Sequence, residues 1–303
     1  MIASLVAVFL VIAVGQLARH FLIREDAAWQ GTERITYYLL FPALLIETLA
    51  KAKLGEVPVL KVASALLVAN LITGGILLAL RAPMARVFAV DGPAFTSIFQ
   101  GIMRWNAFVG LAMVGNLYGN LGVTLVSIAF AVLIPVLNVQ SIWILRRYGH
   151  GSGGSMWRGL ATNPFIVGTA IGLALNFSGI TLPGPVASAL DMIGRCALGV
   201  SLLLVGAGLK LGDIARPSPA LAIGVAARLL FIPVVGGLAA LAFGLGGAAL
   251  GAVVICLAVP SASASYILAR QMGGDAPLMA AILTAQTVLS FATMPLLFLV
   301  FGL

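Results

Sequence analysis

Apolar runs of about 20 residues recur along the whole chain, and no other feature constrains its fold as tightly. A helix of that length can cross a hydrocarbon core of roughly 30 Å. Inside such a core, irregular backbone survives only where protein or a cavity lines it, because its N–H and C=O groups cannot turn to water. Charged residues make up only 9% of the 303-residue sequence and hydrophobic ones 61%. A soluble domain normally carries about 25% charged residues. The expected class is an all-α polytopic membrane protein.

Ten transmembrane helices are expected, at about 2–19, 35–51, 59–80, 95–117, 122–145, 163–179, 186–209, 218–243, 247–269 and 277–302. The first, MIASLVAVFLVIAVGQLA, resembles a signal-peptide core. It lacks a basic start and a small-residue cleavage site, so it is read as a retained helix. The longest polar connector, RRYGHGSGGSMWRG (Arg146 to Gly159), divides the chain into two five-helix repeats, 1–145 and 161–303, joined by a cytoplasmic linker over 146–160.

Orientation follows from the Lys/Arg bias of the connectors. One side carries Arg19, Arg24, Arg34, Arg81, Arg86, Arg146, Arg147, Arg158, Lys210, Arg216 and Arg270, the other only Lys51, Lys53 and Lys61. The richer side is expected to be cytoplasmic, which places both termini outside the inner (plasma) membrane. Five spans inward and five outward make an inverted-topology repeat. FPALLIETLAKAKL laid on LGVSLLLVGAGLKL sets Pro42 opposite Gly199 and Lys53 opposite Lys210, and LIP (133–135) echoes TMP (293–295).

The net charge of +8 is spread over these connectors without a dense basic cluster, which points to a lipid bilayer and away from nucleic acid. Cys196 and Cys256 lie in separate apolar runs and, with His20 and His150, form no zinc spacing. No disulfide, metal or cofactor is expected. Without a nucleophile–base or metal constellation, an enzyme is not expected either.

The ninth span breaks the pattern. GGAALGAVVICLAV (Gly246 to Val259) runs into Pro260, followed by Ser261, Ser263, Ser265 and Tyr266. Proline removes a backbone hydrogen bond and clashes with the preceding turn. The serines either line an unwound ligand site or bond back to a merely kinked helix. In the fourth span, Arg104, Trp105 and Asn106 stand among the loosening glycines Gly101, Gly110 and Gly115. An intramembrane arginine faces a partner, a wet cavity or, near a helix end, the interface. Arg195 and Arg228 lie deeper, against only two acids, Glu47 and Asp191. Each acid precedes a cation by four residues and can pair with it locally. The surplus of positive charge would suit an anionic substrate. Thr284, Thr287, Ser290 and Thr293, with Gln286, form a stripe on the tenth span that either faces the ninth-span break or packs helix on helix.

In order and spacing, YYLLFPALLIETLA, RWNAFVGLAMVGNLYGNLG, NPFIVGTAIGLALN, RLLFIPVV and VPSASASYILARQMGGDAPLMAAILTAQTVLSFATMPL resemble the auxin efflux carrier family, in particular its bacterial members, over essentially the whole chain. The resemblance implies ten helices in two inverted five-helix repeats, as in bile-acid symporters and sodium/proton antiporters. It implies a scaffold of spans 1, 2, 6 and 7, often a homodimer interface, and a transport unit of spans 3–5 and 8–10. Broken helices four and nine would cross at the substrate site. By position, Pro260 matches the family's ninth-span proline. The fourth-span proline falls on Ala112, within Gly110-Leu111-Ala112, and the asparagine before it near Trp105 or Asn106. The missing proline leaves open how far the fourth helix unwinds.

The function expected is secondary transport, by alternating access, of a small organic anion of the auxin, malonate or malate type. Asn106, Ser261 and Ser263 are the foremost contact candidates. Arg104, Trp105, Ala112, Pro260, Ser265, Tyr266 and Gln286 complete the expected substrate site. The alternatives are a sodium- or proton-coupled symporter of another solute and a non-transporting membrane sensor on a transporter-like fold.

Overall fold

The computed structural model of the protein describes residues 2–150, 163–209 and 217–303. It is about 85% helix, and the described residues contain no strand. The helices are α1 (Ile2–Phe21), α2 (Asp26–Ile35), α3 (Phe41–Ala50), α4 (Val59–Phe88), α5 (Gly92–Met103), α6 (Ala107–Tyr148) and α7 (Pro164–Ser178). They continue as α8 (Gly184–Ala207), α9 (Pro219–Ala226), α10 (Ile232–Ala242), α11 (Gly247–Ala258), α12 (Ser263–Gln271) and α13 (Ala276–Phe301). The ten expected apolar segments are largely helical, with non-helical residues at 104–106 in the fourth and at 259–262 in the ninth. Among the described residues, six helical stretches are long and apolar enough to cross a membrane: Val59–Phe88, Gly92–Tyr148, Gly184–Ala207, Pro219–Ala242, Gly247–Arg270 and Ala276–Phe301. Outward-facing Leu10, Leu71, Leu241 and Leu299 are exposed, as befits a surface meeting lipid. Most of the linker expected over 146–160, with Arg158, Lys210 and Arg216, lies outside the described residues.

The chain packs as two compact units, and each takes sequence from both halves. The first comprises Met1–Val59, Phe108–Ala131 and Trp157–Leu209; the second comprises Leu60–Ala107, Val132–Met156 and Lys210–Leu303. The division of the sequence at its longest polar connector is therefore not the division of the packing.

Close helix approach builds the first unit. A Cβ on Gly206 would lie 1.8 Å from the Ile12 carbonyl oxygen, and one on Gly15 would lie 2.2 Å from that of Leu203, so α1 and α8 meet backbone to backbone. In the last turn of α7, Asn176 Nδ2 donates to the carbonyls of Leu49 (3.0 Å) and Ala52 (2.7 Å), satisfying the open end of α3. Within α6, Gly119 (φ 58°, ψ −141°) separates two helical runs, a turn conformation that favours glycine. Glu47 pairs with Lys51, and Asp191 with Arg195 (2.8 Å). The local pairing open to each acid in the sequence is the one it makes.

In the second unit, three helix starts are marked by a capping side chain with proline just inside. Asp91 Oδ1 accepts from Ala94 N (2.8 Å), Ser218 Oγ from Leu221 N (3.1 Å) and Asp275 Oδ1 from Leu278 N (2.9 Å). Pro93, Pro219 and Pro277 follow at the first helical turns, where a missing N–H removes no bond. Between α9 and α10 a π-helical turn spans Ala227–Phe231. Pro233 follows two residues later, and the wider turn accommodates a residue that can neither donate nor approach the preceding carbonyl. TYYLL before Phe41-Pro42 in the first unit forms a π turn in the same way.

Candidate functional site: two crossing helix breaks

Helix α11 ends at Ala258, and Val259 is extended (φ −62°, ψ 149°), as the residue before a proline prefers. Ala262 is extended as well (φ −83°, ψ 141°), and α12 begins at Ser263. The fourth span breaks too. Helix α5 ends at Met103, Arg104 is extended (φ −75°, ψ 148°), and α6 begins at Ala107. The break falls at Arg104-Trp105-Asn106 without any proline. Asn106 occupies the position before the first helical residue, where asparagine is among the preferred types. Ala112, expected at the break by position in the family, lies inside α6 and is buried. The two breaks touch: the Asn106 N–H donates to the Pro260 carbonyl at 2.8 Å.

Buried breaks of this kind require partners for their freed carbonyls, and three carbonyls in the last turn of α5 have them. The Gln100 carbonyl accepts from Arg104 N (2.9 Å) and Ser261 Oγ (3.3 Å). The Gly101 carbonyl accepts from Gln286 Nε2 (2.9 Å) and the Ile102 carbonyl from Arg228 (3.0 Å). At the end of α11, Arg228 donates from Nε to the Val259 carbonyl (2.7 Å) and from its other terminal nitrogen to that of Cys256 (3.0 Å). Arg228 therefore bonds both breaks at once, and it is fully buried. Arg228 is held by three carbonyls and Arg195 by Asp191. No acid stands three or four positions from Arg228 in PALAIGVAARLLFIPVV, so a local ion pair of the kind Arg195 makes is not open to it.

Gln286 has a related role. Its Oε1 accepts from Ser261 N (2.8 Å), and its Nε2 donates to Gly101 and Gly224 (3.0 Å). Both amide N–H groups are thus committed to backbone. Thr287, Ser290 and Thr293 bond back to carbonyls of their own helix, so three of the four stripe hydroxyls face inward along α13. Ser261 and Ser265 are buried with their hydroxyls 3.3 Å apart. Ser263, at the first position of α12, is exposed and makes no hydrogen bond among the described residues. Trp105 is buried, whereas Arg104, Asn106 and Tyr266 are half-buried. Arg104 donates to Asn138 Oδ1 (3.1 Å) and Ser141 Oγ (3.3 Å) on α6.

One residue at the crossing was not anticipated. The Gln100 side chain is fully buried, and neither its Oε1 nor its Nε2 has a partner among the described residues. Such groups are rare in native structures. A glutamine amid SIFQGIM gives no sign of this, because its burial arises from the elements packed around α5.

The family model described as membrane transport protein, that of the auxin efflux carriers, matches residues 149–298. The chain belongs to this family. The match takes in Arg228, the ninth-span break and Gln286, whereas the fourth-span break lies in the half of the chain outside it. A comparison with curated proteins finds no match. Family and fold together make this a multi-pass membrane protein with a role in membrane transport.

Proposed function

We propose that the protein is a secondary transporter that moves a small organic anion, a carboxylate, across the membrane by alternating access. The observation that carries this reading is the crossing of two broken helices, joined by the Asn106–Pro260 hydrogen bond (2.8 Å). A helix N-terminus carries roughly half a positive charge and unsatisfied N–H groups. At the crossing α6 and α12 begin, and discontinuous helices of this kind direct their N-termini at anionic substrate groups. A carboxylate would be received by the first N–H groups of α12 and the free hydroxyl of Ser263. Asn106 and Arg104 would stand on the other strand of the crossing, and the Gln100 amide would supply a further donor. Ser261, Ser265 and Gln286 would hold the break in shape without touching the substrate.

In this reading ten helices cross the inner membrane as two inverted five-helix repeats, and both termini lie outside. Spans 3–5 and 8–10 move against a scaffold of spans 1, 2, 6 and 7, through which two copies pair. The test is uptake and counterflow in proteoliposomes with a panel of mono- and dicarboxylates, malonate and malate among them, with and without sodium and proton gradients. Saturable flux of at least one anion is expected. If no anion moves and none raises the melting temperature of the purified protein, the reading fails.

A further inference from the structure

We propose that Arg228 is a positioning residue that acts on the substrate by charge without touching it. It neutralises the C-terminal ends of α5 and α11 together, and so leaves the positive N-terminal ends of α6 and α12 uncompensated at the crossing. The proposal rests on the anion-transport reading for its effect on affinity, but its structural arm can be tested without any substrate.

The geometry is specific. A helix C-terminus carries about half a negative charge, so two meeting at one point present roughly the charge that one guanidinium cancels. Arg228 supplies that guanidinium in full burial, bonding Ile102 at the end of α5 and Cys256 and Val259 at the end of α11. Its partners are carbonyls, and no carboxylate pairs with it among the described residues, so its whole positive charge acts on backbone dipoles. A guanidinium is always charged and presents its donors in a rigid planar fork, the shape needed to reach three carbonyls on two chain segments. The π turn at Ala227–Phe231 that carries it inserts an extra residue into the helix, and such turns are frequent at functional sites. With the negative ends cancelled internally, the net field at the crossing is that of the N-termini. The bonds to both breaks also fix their spacing, so the anion meets donors already in place.

Chemical rescue tests this. Arg228→Gly should melt well below the wild type in detergent. Millimolar methylguanidinium should recover most of the loss, while methylurea, planar and similar in size but neutral, should not. Equal rescue by both compounds, or rescue by neither, would overturn the assignment of a charge role. Should the glycine variant not fold, Arg228→Lys and Arg228→Gln separate the same alternatives through malonate binding. The lysine variant should keep malonate affinity within a few-fold. The glutamine variant should lose more than about tenfold, the effect of removing a unit charge on the order of 10 Å away at an effective dielectric constant of about 20. Equal losses in the two variants would also overturn it. If malonate and every other anion fail to bind the wild type, the transport reading fails, while the rescue result still decides the role of Arg228.

Discussion

At the scale of single residues, the crossing separates groups that hold it together from groups that are free to act. Gln286 is of the first kind. Gln286→Leu would strand the Ser261 N–H and leave two carbonyls without this donor, and each unsatisfied buried group costs about 1–3 kcal/mol. A fall in melting temperature of several degrees is expected, measured by thermal unfolding in detergent. Ser263 is of the second kind: Ser263→Ala should leave the melting temperature unchanged and weaken anion binding. Gln100→Leu should do both things in opposite directions. Removing an unpartnered buried amide should raise the melting temperature of the empty protein, and removing a donor at the crossing should weaken binding. A variant with unaltered binding would remove Gln100 from the site. The sequence made Pro260, the serines and the Arg104–Asn106 triplet visible because their residue types clash with an apolar helix. It left Arg228 and Gln100 unresolved, since the role of a buried polar side chain depends on which backbone groups packing brings within 3 Å.

At the scale of helices, the two breaks arise by different routes. In the ninth span, proline ends α11 and sets the preceding residue extended. In the fourth, no residue forbids helix; the break persists because its carbonyls find partners in Ser261, Gln286 and Arg228. Pro260→Ala removes what ends α11, so the ninth-span break would then rest on the outside bonds of Val259, Pro260 and Ser261 alone. Transport should fall more than expression does, and wild-type rates would show that the proline is dispensable. Close glycine contacts in the first unit have the opposite character. Gly206→Ala places a Cβ against the Ile12 carbonyl and must push α1 and α8 apart. Overpacking of this kind costs about 1–3 kcal/mol, which should register as a lower melting temperature. Asp191→Asn, on an exposed local pair, should leave transport intact.

For the molecule as a whole, the apolar runs, the charge bias and the proline-and-cap punctuation follow from local sequence, because lipid imposes helix on any long apolar segment and connector charges are read one at a time. The charge bias predicts both termini outside, which reporter fusions to each end can check; a cytoplasmic terminus would contradict it. The composition of the two compact units is not local information. Each gathers segments from both halves of the chain, and a polar connector marks a boundary in sequence without marking one in space. Sequence by itself thus determined the class, the helical segments and the ninth-span break, since each depends on residue type and near neighbours. Tertiary structure alone decided that the fourth span breaks at Arg104–Asn106, that this break meets the ninth, and that a buried arginine joins them. Those outcomes depend on carbonyls and donors more than 100 residues apart in the chain, which only the packed fold brings together.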